Sequence, residues 1–289
     1  MPLPISRPLL TRRRFLQSLG AVTSIAAAGA VYTRFGEPRW LDVSTLRVGS
    51  TDGATPPVRI VHLSDFHASA VVPYAFIEDA ISVALAQKPD AIALTGDFIT
   101  NHLPEPERYS KILSRLSALA PTFACLGNHD GGPWTRRAGG LPTIANTRAM
   151  LEAAGIVCLH NEAHALSLRG RWFQFIGVGD FWSEMCLPNE AFARVPTRGK
   201  AYRVLLNHNP DAKDRMQLHD WDLMLCGHTH GGQLKLPLFG TPFAPVVDKR
   251  FVEGLHRWQG RWLYITRGIG NLHGMRFNCR PEVSVLDVA

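Results

Sequence analysis

The sequence has few cysteines, and none of them is paired in a metal-binding or redox motif. The five cysteines are scattered along the chain without a C-x-x-C spacing: Cys125, Cys158, Cys186, Cys226 and Cys279. Cys125 and Cys226 lie inside apolar runs that are typical of buried strands. The spacing therefore favours buried thiols over a disulfide framework.

Acidic residues are missing from the first thirty positions, which hold four arginines: Arg7, Arg12, Arg13 and Arg14. Setting these four aside lowers the formal net charge from +7 to +3, and no basic run stands out in the rest. A nucleic-acid-binding surface is therefore not supported. Apolar residues make up 46% and charged residues 19% of the 289 positions, an ordinary balance for a globular chain with a substantial core.

The motifs of several enzyme classes are also missing. No G-x-S-x-G sequence occurs, and no cysteine has the setting of a reactive thiol, so a nucleophile-based hydrolase is disfavoured. The glycines between Gly268 and Gly274 come near a dinucleotide loop, but their spacing is wrong and only fifteen residues follow. The chain also shows no internal repeat and no low-complexity segment.

The N-terminal segment has the composition of an export signal. Residues 11–17 read Thr-Arg-Arg-Arg-Phe-Leu-Gln and precede a mildly apolar stretch at 18–32. This resembles a twin-arginine signal in which only a final lysine is replaced, by Gln17. The stretch is shorter than the roughly 20 residues that a membrane-spanning helix needs. We expect residues 1–32 to be a signal or an N-terminal anchor, the twin-arginine machinery to be a partner, and the protein to be periplasmic or on the outer face of the inner membrane.

After a connector at residues 33–57, with a first strand near 40–48, strands and helices alternate. Strands are predicted at 58–63, 91–94, 122–126, 157–160, 171–178, 204–206, 223–226, 255–266 and 282–288, and helices at 74–87, 105–119 and 143–154. Alternation in the first half predicts a mainly parallel sheet with both faces covered. The strand-rich second half suggests a second sheet packed on the first, with residues 58–289 as one domain.

Five of the apolar runs end in residue types that bind metal ions. In chain order, the first cluster is the pair Asp65 and His67, and the second is Asp97 alone. The third is Asn128, His129 and Asp130, the fourth is His208 alone, and the fifth is the pair His228 and His230. Because binding groups gather beyond the carboxyl ends of the strands in α/β sheets, we expect all five clusters to meet at one rim.

The chemistry of these side chains indicates a pair of cations. Carboxylate, amide and imidazole ligands without thiolate suit Mn, Fe, Zn or Co rather than a structural zinc site built from cysteine. Seven ligands besides His129 are too many for one tetrahedral ion and suit two ions that share a carboxylate. Such a site has a net positive charge, so it attracts an anionic group and makes a bound water acidic enough to be hydroxide near neutral pH.

The ordered blocks D-x-H, G-D, G-N-H-D, a histidine and G-H-x-H, from Asp65 to His230, resemble those of the calcineurin-like metallophosphoesterases. The resemblance implies a four-layer α/β/β/α sandwich of two mixed sheets flanked by helices. It implies that one ion is held by Asp65, His67, Asp97 and His230, and the other by Asn128, His208, His228 and the bridging Asp97. His129 would stabilise or protonate the leaving-group oxygen. Asp130 would either orient that imidazole or be a solvated acid that caps the next element.

The C-terminal segments 231–240 and 267–282 are similar to an exported or membrane-attached bacterial branch of that family. The resemblance implies hydrolysis of a phosphodiester or pyrophosphate bond by metal-bound hydroxide, in a small-molecule or lipid phosphate ester. A pyrophosphatase acting on UDP-2,3-diacylglucosamine and a metal-binding scaffold without activity are the alternatives.

A few further residues have two readings. The apolar segment 234–247 either borders the metal site, where it receives an apolar group or touches a membrane, or packs over the second sheet. Asp180 and His273 follow strands and are candidates to face the rim. Arg267 and Arg276 either contact a phosphate or are solvated.

Overall fold

The computed structural model describes residues 11–49, 56–195 and 200–289, which form twelve strands and six α-helices. The helices are α1 (Arg12–Val31), α2 (Tyr74–Ala86), α3 (Pro106–Ser117), α4 (Pro133–Arg137), α5 (Ala145–Ala153) and α6 (Pro188–Ala193). The strands are β1 (Asp42–Val48), β2 (Val58–Leu63), β3 (Ala91–Thr95), β4 (Thr122–Cys125), β5 (Val157–Cys158), β6 (Glu162–Leu168), β7 (Arg171–Gly177), β8 (Tyr202–Leu206), β9 (Leu223–Cys226), β10 (Gly254–Trp258), β11 (Arg261–Ile265) and β12 (Glu282–Val288).

The first sheet has the strand order β1-β12-β2-β3-β4-β5. Strands β2 to β5 are parallel, whereas β12 runs antiparallel to β2 and parallel to β1. Strand β3 is buried along its whole length, as expected for a strand covered on both faces. The parallel arrangement places the carboxyl ends of β2, β3 and β4 at one edge of the sheet.

The second sheet has the order β10-β11-β9-β8-β7-β6, with parallel strands in the middle and antiparallel strands at both edges. The single strand predicted at 255–266 is wrong, because Gln259 and Gly260 have positive φ angles and form a hairpin turn there. Strand β6 was not predicted. Its side chains are mostly half-exposed, which removes the strong apolar alternation that marks a strand in sequence.

Apolar side chains fill three layers. Between the sheets, residues such as Phe123, Phe175 and Leu225 form one core, in which the rings of Phe123 and Phe175 stack with centroids 4.2 Å apart. A second core lies between the first sheet and helices α2, α3 and α5, and a third covers the outer face of the second sheet. Two mixed sheets flanked by helices confirm the predicted four-layer sandwich.

All five cysteines are free and buried, as the sequence predicts. Cys125 and Cys226 lie in strands β4 and β9. Burial raises the pKa of both thiols well above its ordinary value, so they are protonated, apolar parts of the core.

Helix α1 projects from the sandwich, and none of its residues is buried. The apolar stretch of residues 18–32 is only part of a longer helical run. The arginines and Phe15 join the helix, which continues through further helical turns to Arg39 and is long and apolar enough to cross a membrane by length and composition. A signal sequence and an anchor share these properties. Residues 1–10 of the predicted signal and 50–55 of the predicted connector lie outside the described residues.

The chain that follows α1 is fastened to the turn at residues 274–279. The carbonyl of Thr33 accepts the N–H of Arg276 at 3.0 Å, and Arg34 Nη1 donates to the carbonyl of Gly274 at 3.0 Å. The buried carboxylate of Glu37 accepts the N–H of Cys279. The carboxyl end of α1 therefore has a fixed place on the sandwich.

Candidate metal centre

The carboxyl ends of β2, β3, β4, β8 and β9 meet at one rim between the two sheets. The loops that follow these strands carry all the residues predicted to bind metal, and each of these residues is buried. Backbone contacts join the loops: the N–H of His228 donates to Asp65 Oδ1 at 3.0 Å, and the N–H of His129 donates to Asp97 Oδ1 at 2.9 Å. The first and last motifs of the sequence thus lie side by side.

One group of candidate ligands consists of Asp65, His67 and His230, whose ligand atoms all lie within 4.8 Å of one another. The Nε2 atoms of His67 and His230 are 3.1 Å apart, and His230 Nε2 is 3.4 Å from Asp65 Oδ1. Two imidazole nitrogens and a carboxylate oxygen converging at this distance match the donor set of a divalent transition-metal site.

A second group consists of Asp97, His208 and His228. His208 Nε2 is 3.1 Å from Asp97 Oδ2 and 3.2 Å from His228 Nδ1. The same Asp97 Oδ2 is 3.4 Å from His67 Nε2 of the first group, so this carboxylate lies where one ligand joins both groups.

Asn128 lines the same cavity, and its buried Oδ1 has no hydrogen-bond partner among the residues that the structure describes. A buried amide oxygen without a donor is costly unless something else satisfies it, and a cation would do so. The residues present therefore fit a pair of divalent cations.

Backbone carbonyls fix the orientation of three imidazoles at the rim. His208 Nδ1 lies 2.7 Å from the carbonyl of Thr95, and His230 Nδ1 lies 3.3 Å from that of Gly270. His129 Nδ1 lies 2.5 Å from the carbonyl of Thr100. Because a carbonyl only accepts, each Nδ1 carries the hydrogen, and each Nε2 has a lone pair for a cation or a proton.

Burial keeps three imidazoles of the candidate ligands neutral. It lowers the pKa of His67 and of His230 to about 3, and lowers the pKa of His228 as well. Burial also acts to raise the pKa of Asp97, but the neighbouring His208 and His129 hold that pKa well below its usual range. Neutral imidazoles around an ionised carboxylate are the protonation states that metal ligation requires.

His208 is the exception among the candidate ligands. Burial acts to lower its pKa, but the ionised Asp97 beside it outweighs burial and raises the pKa to about 10. A cation bound by this pair would face the same carboxylate and would take the place of this proton.

Asp130 has a structural environment that the sequence did not predict. It is fully buried rather than solvated, and its oxygens accept the backbone N–H groups of Asp97 and Gly127 at 2.8 Å and of Phe98 at 2.7 Å. The imidazole of His129 is instead oriented by the Thr100 carbonyl. Asp130 therefore ties the loop after β3 to the loop after β4, which fixes the position of Asp97.

Five of the seven candidate ligands have backbone φ angles in the left-handed region. The φ angles of Asp65, His67, Asp97, His228 and His230 lie between 48° and 69°. Such a conformation costs of order 1–3 kcal/mol at a residue other than glycine, and it persists where the surrounding structure enforces it. Sequence alone gave no sign of this strain.

Two glycines allow the close approach of the loops. A Cβ at Gly227 would collide with the side chains of Ser64 and Asp65, and a Cβ at Gly127 would collide with the carboxylate of Asp97. The glycines of the G-N-H-D and G-H-x-H motifs are therefore needed because carboxylate ligands occupy the space of their missing side chains.

A cavity of about 470 Å³ opens over this centre. Two tryptophans that sequence reasoning missed form one wall of it. Trp134 packs against His129 with ring centroids 4.7 Å apart, and Trp182 packs edge-on against His228 at 4.2 Å. Trp134 follows the third motif by four residues, and Trp182 follows strand β7. In the sequence, only this proximity to the end of a strand indicates that the two tryptophans lie at the rim.

The remaining candidates divide between the cavity and the core. His273 lines the cavity, whereas Asp180 is buried beside it and accepts the N–H of Ser183. Arg267 pairs with Asp42 and Glu282. Arg276, predicted to be solvated or to bind phosphate, is fully buried and donates to four backbone carbonyls within residues 267–279.

Segment 234–247 borders the cavity, as one of its two readings predicted. Leu234, Phe243 and Pro245 line the cavity. The alternative of packing over the second sheet is wrong for its tip, because Leu238 and Phe239 are exposed.

The fold and this centre are those of a phosphoesterase: the chain belongs to the calcineurin-like phosphoesterases, whose family model matches residues 58–232. Over 97% of its length it is 43% identical to the whole of phosphodiesterase YaeI of Escherichia coli. It is 30% identical to the uncharacterized metallophosphoesterase YkuE of Bacillus subtilis, over 96% of both chains. It is 28% identical to UDP-2,3-diacylglucosamine pyrophosphatase LpxG of Chlamydia trachomatis, over 79% of this chain and 83% of that one. The protein is a metal-dependent phosphoric ester hydrolase.

Proposed function

We propose that this enzyme hydrolyses a phosphodiester or pyrophosphate bond at a centre of two divalent cations, with His129 assisting the leaving group. The observation that carries the proposal is the sharing of Asp97 between two groups of ligands, with Asp97 Oδ2 3.4 Å from His67 and 3.1 Å from His208. Asp65, His67, Asp97 and His230 would hold one cation. Asn128, His208, His228 and the shared Asp97 would hold the other.

When bound, two such cations supply a water of lowered pKa as the nucleophile and neutralise charge on the phosphoryl oxygens. The donor set of oxygen and imidazole nitrogen favours Mn, Fe or Zn. The chain's own contribution is to place this chemistry in a buried rim beside tryptophans, where water is restricted and electrostatic interactions are strong.

His129 is the residue suited to move a proton. It lines the cavity and belongs to neither group of ligands. Its Nδ1 hydrogen is engaged by the Thr100 carbonyl, so its Nε2 is the atom that exchanges a proton with the leaving oxygen. The edge-on contact with Trp134 restrains the ring further.

Hydrolysis of bis-p-nitrophenyl phosphate, with metal content measured on the same sample, tests the proposal. We expect about two divalent ions per chain, and turnover that is lost on chelation and restored by Mn²⁺ or Zn²⁺. A protein that binds the ions but hydrolyses no phosphate ester would instead be the metal-binding scaffold considered as the alternative.

The names of two relatives support this substrate class. The name of YaeI describes a phosphodiesterase, and that of LpxG a pyrophosphatase acting on UDP-2,3-diacylglucosamine. Both names favour a substrate with two groups on its phosphate over a monoester. A comparison of kcat/KM for bis-p-nitrophenyl phosphate and p-nitrophenyl phosphate tests this, and faster monoester cleavage would contradict it.

We also propose export of this protein by the twin-arginine route, to the periplasm or the outer face of the inner membrane. The Arg12–Arg13 pair at the start of the apolar helix α1 supports this. Replacing both arginines by lysine is expected to retain the protein in the cytoplasm, as measured by cell fractionation. Unchanged export of the lysine variant would contradict the route.

A further inference from the structure

The turn at residues 236–240 holds two apolar side chains in full contact with water. Leu238 is fully exposed and Phe239 is 77% exposed. Backbone hydrogen bonds in both directions between Leu236 and Gly240, at 2.8 and 2.9 Å, close the turn tightly. Leu238 has a φ of 68°, a strained conformation for an apolar side chain. The turn therefore presents these side chains and cannot fold them inward.

This tip, residues 237–239, is continuous with the mouth of the catalytic cavity. On one side of the tip, Leu234 lines the cavity, and on the other side Phe243, which is 68% exposed, does so as well. The exposed Val247 follows on the same segment. Several exposed apolar side chains of this one segment therefore lie at and beside the mouth of the cavity.

The same surface continues to the end of helix α1 through a short series of contacts. The backbone of Lys235 pairs with Phe277 at 2.9 Å, and the adjacent residues Gly274 and Arg276 hold Arg34 and Thr33. The helix that is long and apolar enough to span a membrane thus ends against the turn that supports the apolar tip.

Aromatic and basic side chains surround this junction. Arg34 lies over the ring of the exposed Phe35 at 5.2 Å, and Arg280 lies over the half-exposed ring of Trp40 at 3.7 Å. Tryptophan, phenylalanine and arginine are the residues that proteins place at the level of lipid headgroups. Their position between α1 and the tip is complementary in charge to an anionic lipid surface.

We propose that residues 237–239, together with Phe35 and Phe243, dock on a lipid bilayer and hold the mouth of the catalytic cavity at its surface. As a consequence that rests on the proposed function, the substrate is a phosphodiester or pyrophosphate that carries a hydrocarbon chain and enters the cavity from the bilayer. The apolar walls at Phe243 and Leu234 receive the part of that chain nearest the phosphate.

The buried cysteines allow a direct test on the full-length protein. Because all five native thiols are buried, a cysteine at Leu238 can be labelled selectively with an environment-sensitive NBD fluorophore. Leu218 is the matched control: it is 90% exposed, and it lies just before the amino end of β9, away from the rim. Both proteins are reconstituted through α1 into vesicles of phosphatidylethanolamine and phosphatidylglycerol that contain doxyl-labelled lipid.

We expect the label of L238C to shift its emission to the blue and to be quenched at a depth of about 5–10 Å, where interfacial apolar groups lie. The label of L218C is expected to remain unquenched. Equal quenching at the two positions, or none at either, overturns the proposal. Shielding of L238C without vesicles, accompanied by a doubled mass, shows that a second copy covers the tip and also overturns it.

The same labelled samples separate this proposal from the catalytic one. An unquenched L238C protein that hydrolyses bis-p-nitrophenyl phosphate refutes docking and leaves the proposed function intact. A quenched protein that hydrolyses no ester supports docking and refutes the proposed function. Depth measurement does not depend on turnover, so the two failures are distinguishable.

Discussion

Replacing His129 by alanine should separate proton transfer from metal binding. The ring belongs to neither ligand group, and its centroid lies 5.0 Å from that of His67. We therefore expect His129→Ala to retain both cations. Its backbone N–H, which donates to Asp97, is kept in the variant, so the bridging carboxylate should stay in place.

The loss of turnover follows from how well the imidazole is positioned. General acid catalysis by a fixed side chain contributes about 10²–10⁴-fold, or about 2.7–5.4 kcal/mol in the barrier. The Thr100 carbonyl and Trp134 both restrain His129, so we expect a loss near the upper end for an alkyl leaving group. The loss should be smaller for p-nitrophenolate, which departs readily without a proton.

The assay compares kcat for an aryl and an alkyl phosphodiester, with metal content determined on each sample. His102→Ala is the control, since this exposed histidine follows Thr100 by two residues and lies outside the cavity. It should change neither quantity. Asp97→Ala should lose metal and turnover together. Loss of metal from His129→Ala, or an equal loss of rate with both leaving groups, would refute the assigned role.

Three further substitutions probe the frame of the site. Gly227→Ala places a methyl group against Asp65, so bound metal should fall and stability should drop by about 1–3 kcal/mol in chemical denaturation; unchanged metal content would contradict this packing. Arg276→Met removes one donor from each of four carbonyls, of which those of Gly268 and Gly270 keep the N–H of Glu282 and Nδ1 of His230, and a loss on the order of 3 kcal/mol is expected, visible as a lower Tm. Burial acts to raise the pKa of Glu282, but Arg267 and nearby hydrogen bonds lower it overall. Ionised Glu282 therefore stabilises the fold above the unfolded pKa of about 4.3 and loses this effect as pH falls, so the stability gap to Glu282→Gln should be full at neutral pH and shrink below that pKa. A gap that is constant between neutral and acidic pH would show that charge is not its cause.

The sequence predicted where the candidate ligands lie in the fold because each strand end is marked by two signals. The apolar run Leu223–Cys226, for example, stops at Gly227, and histidines follow at His228 and His230. Both the run and the ligand types are local properties, and the parallel arrangement then brings separate strand ends to one rim. The meeting of the five clusters at one rim was predicted from these two signals, whereas the four-layer sandwich was implied by the alternation of strands and helices and by the family resemblance.

The contacts that orient the imidazoles of the rim could not be predicted. The carbonyls of Thr95, Thr100 and Gly270 hold three imidazoles, and any residue type supplies a carbonyl. Arg276 is buried because backbone carbonyls of residues 267–279 converge on its guanidinium, and residue types alone do not reveal such an arrangement. Strand β6 was missed for a related reason, since an edge strand with half-exposed side chains carries little apolar pattern.

The positive φ angles at the rim set a limit on how stable this protein can become. Asp65, His67, Asp97, His228 and His230 hold conformations that a glycine would adopt without strain. If variants were selected only for thermal stability, in a medium that removes metal ions, substitutions of these five residues by glycine would thus be favoured. At this rim, the residues that would give the most stable fold differ from the residues that would bind the cations.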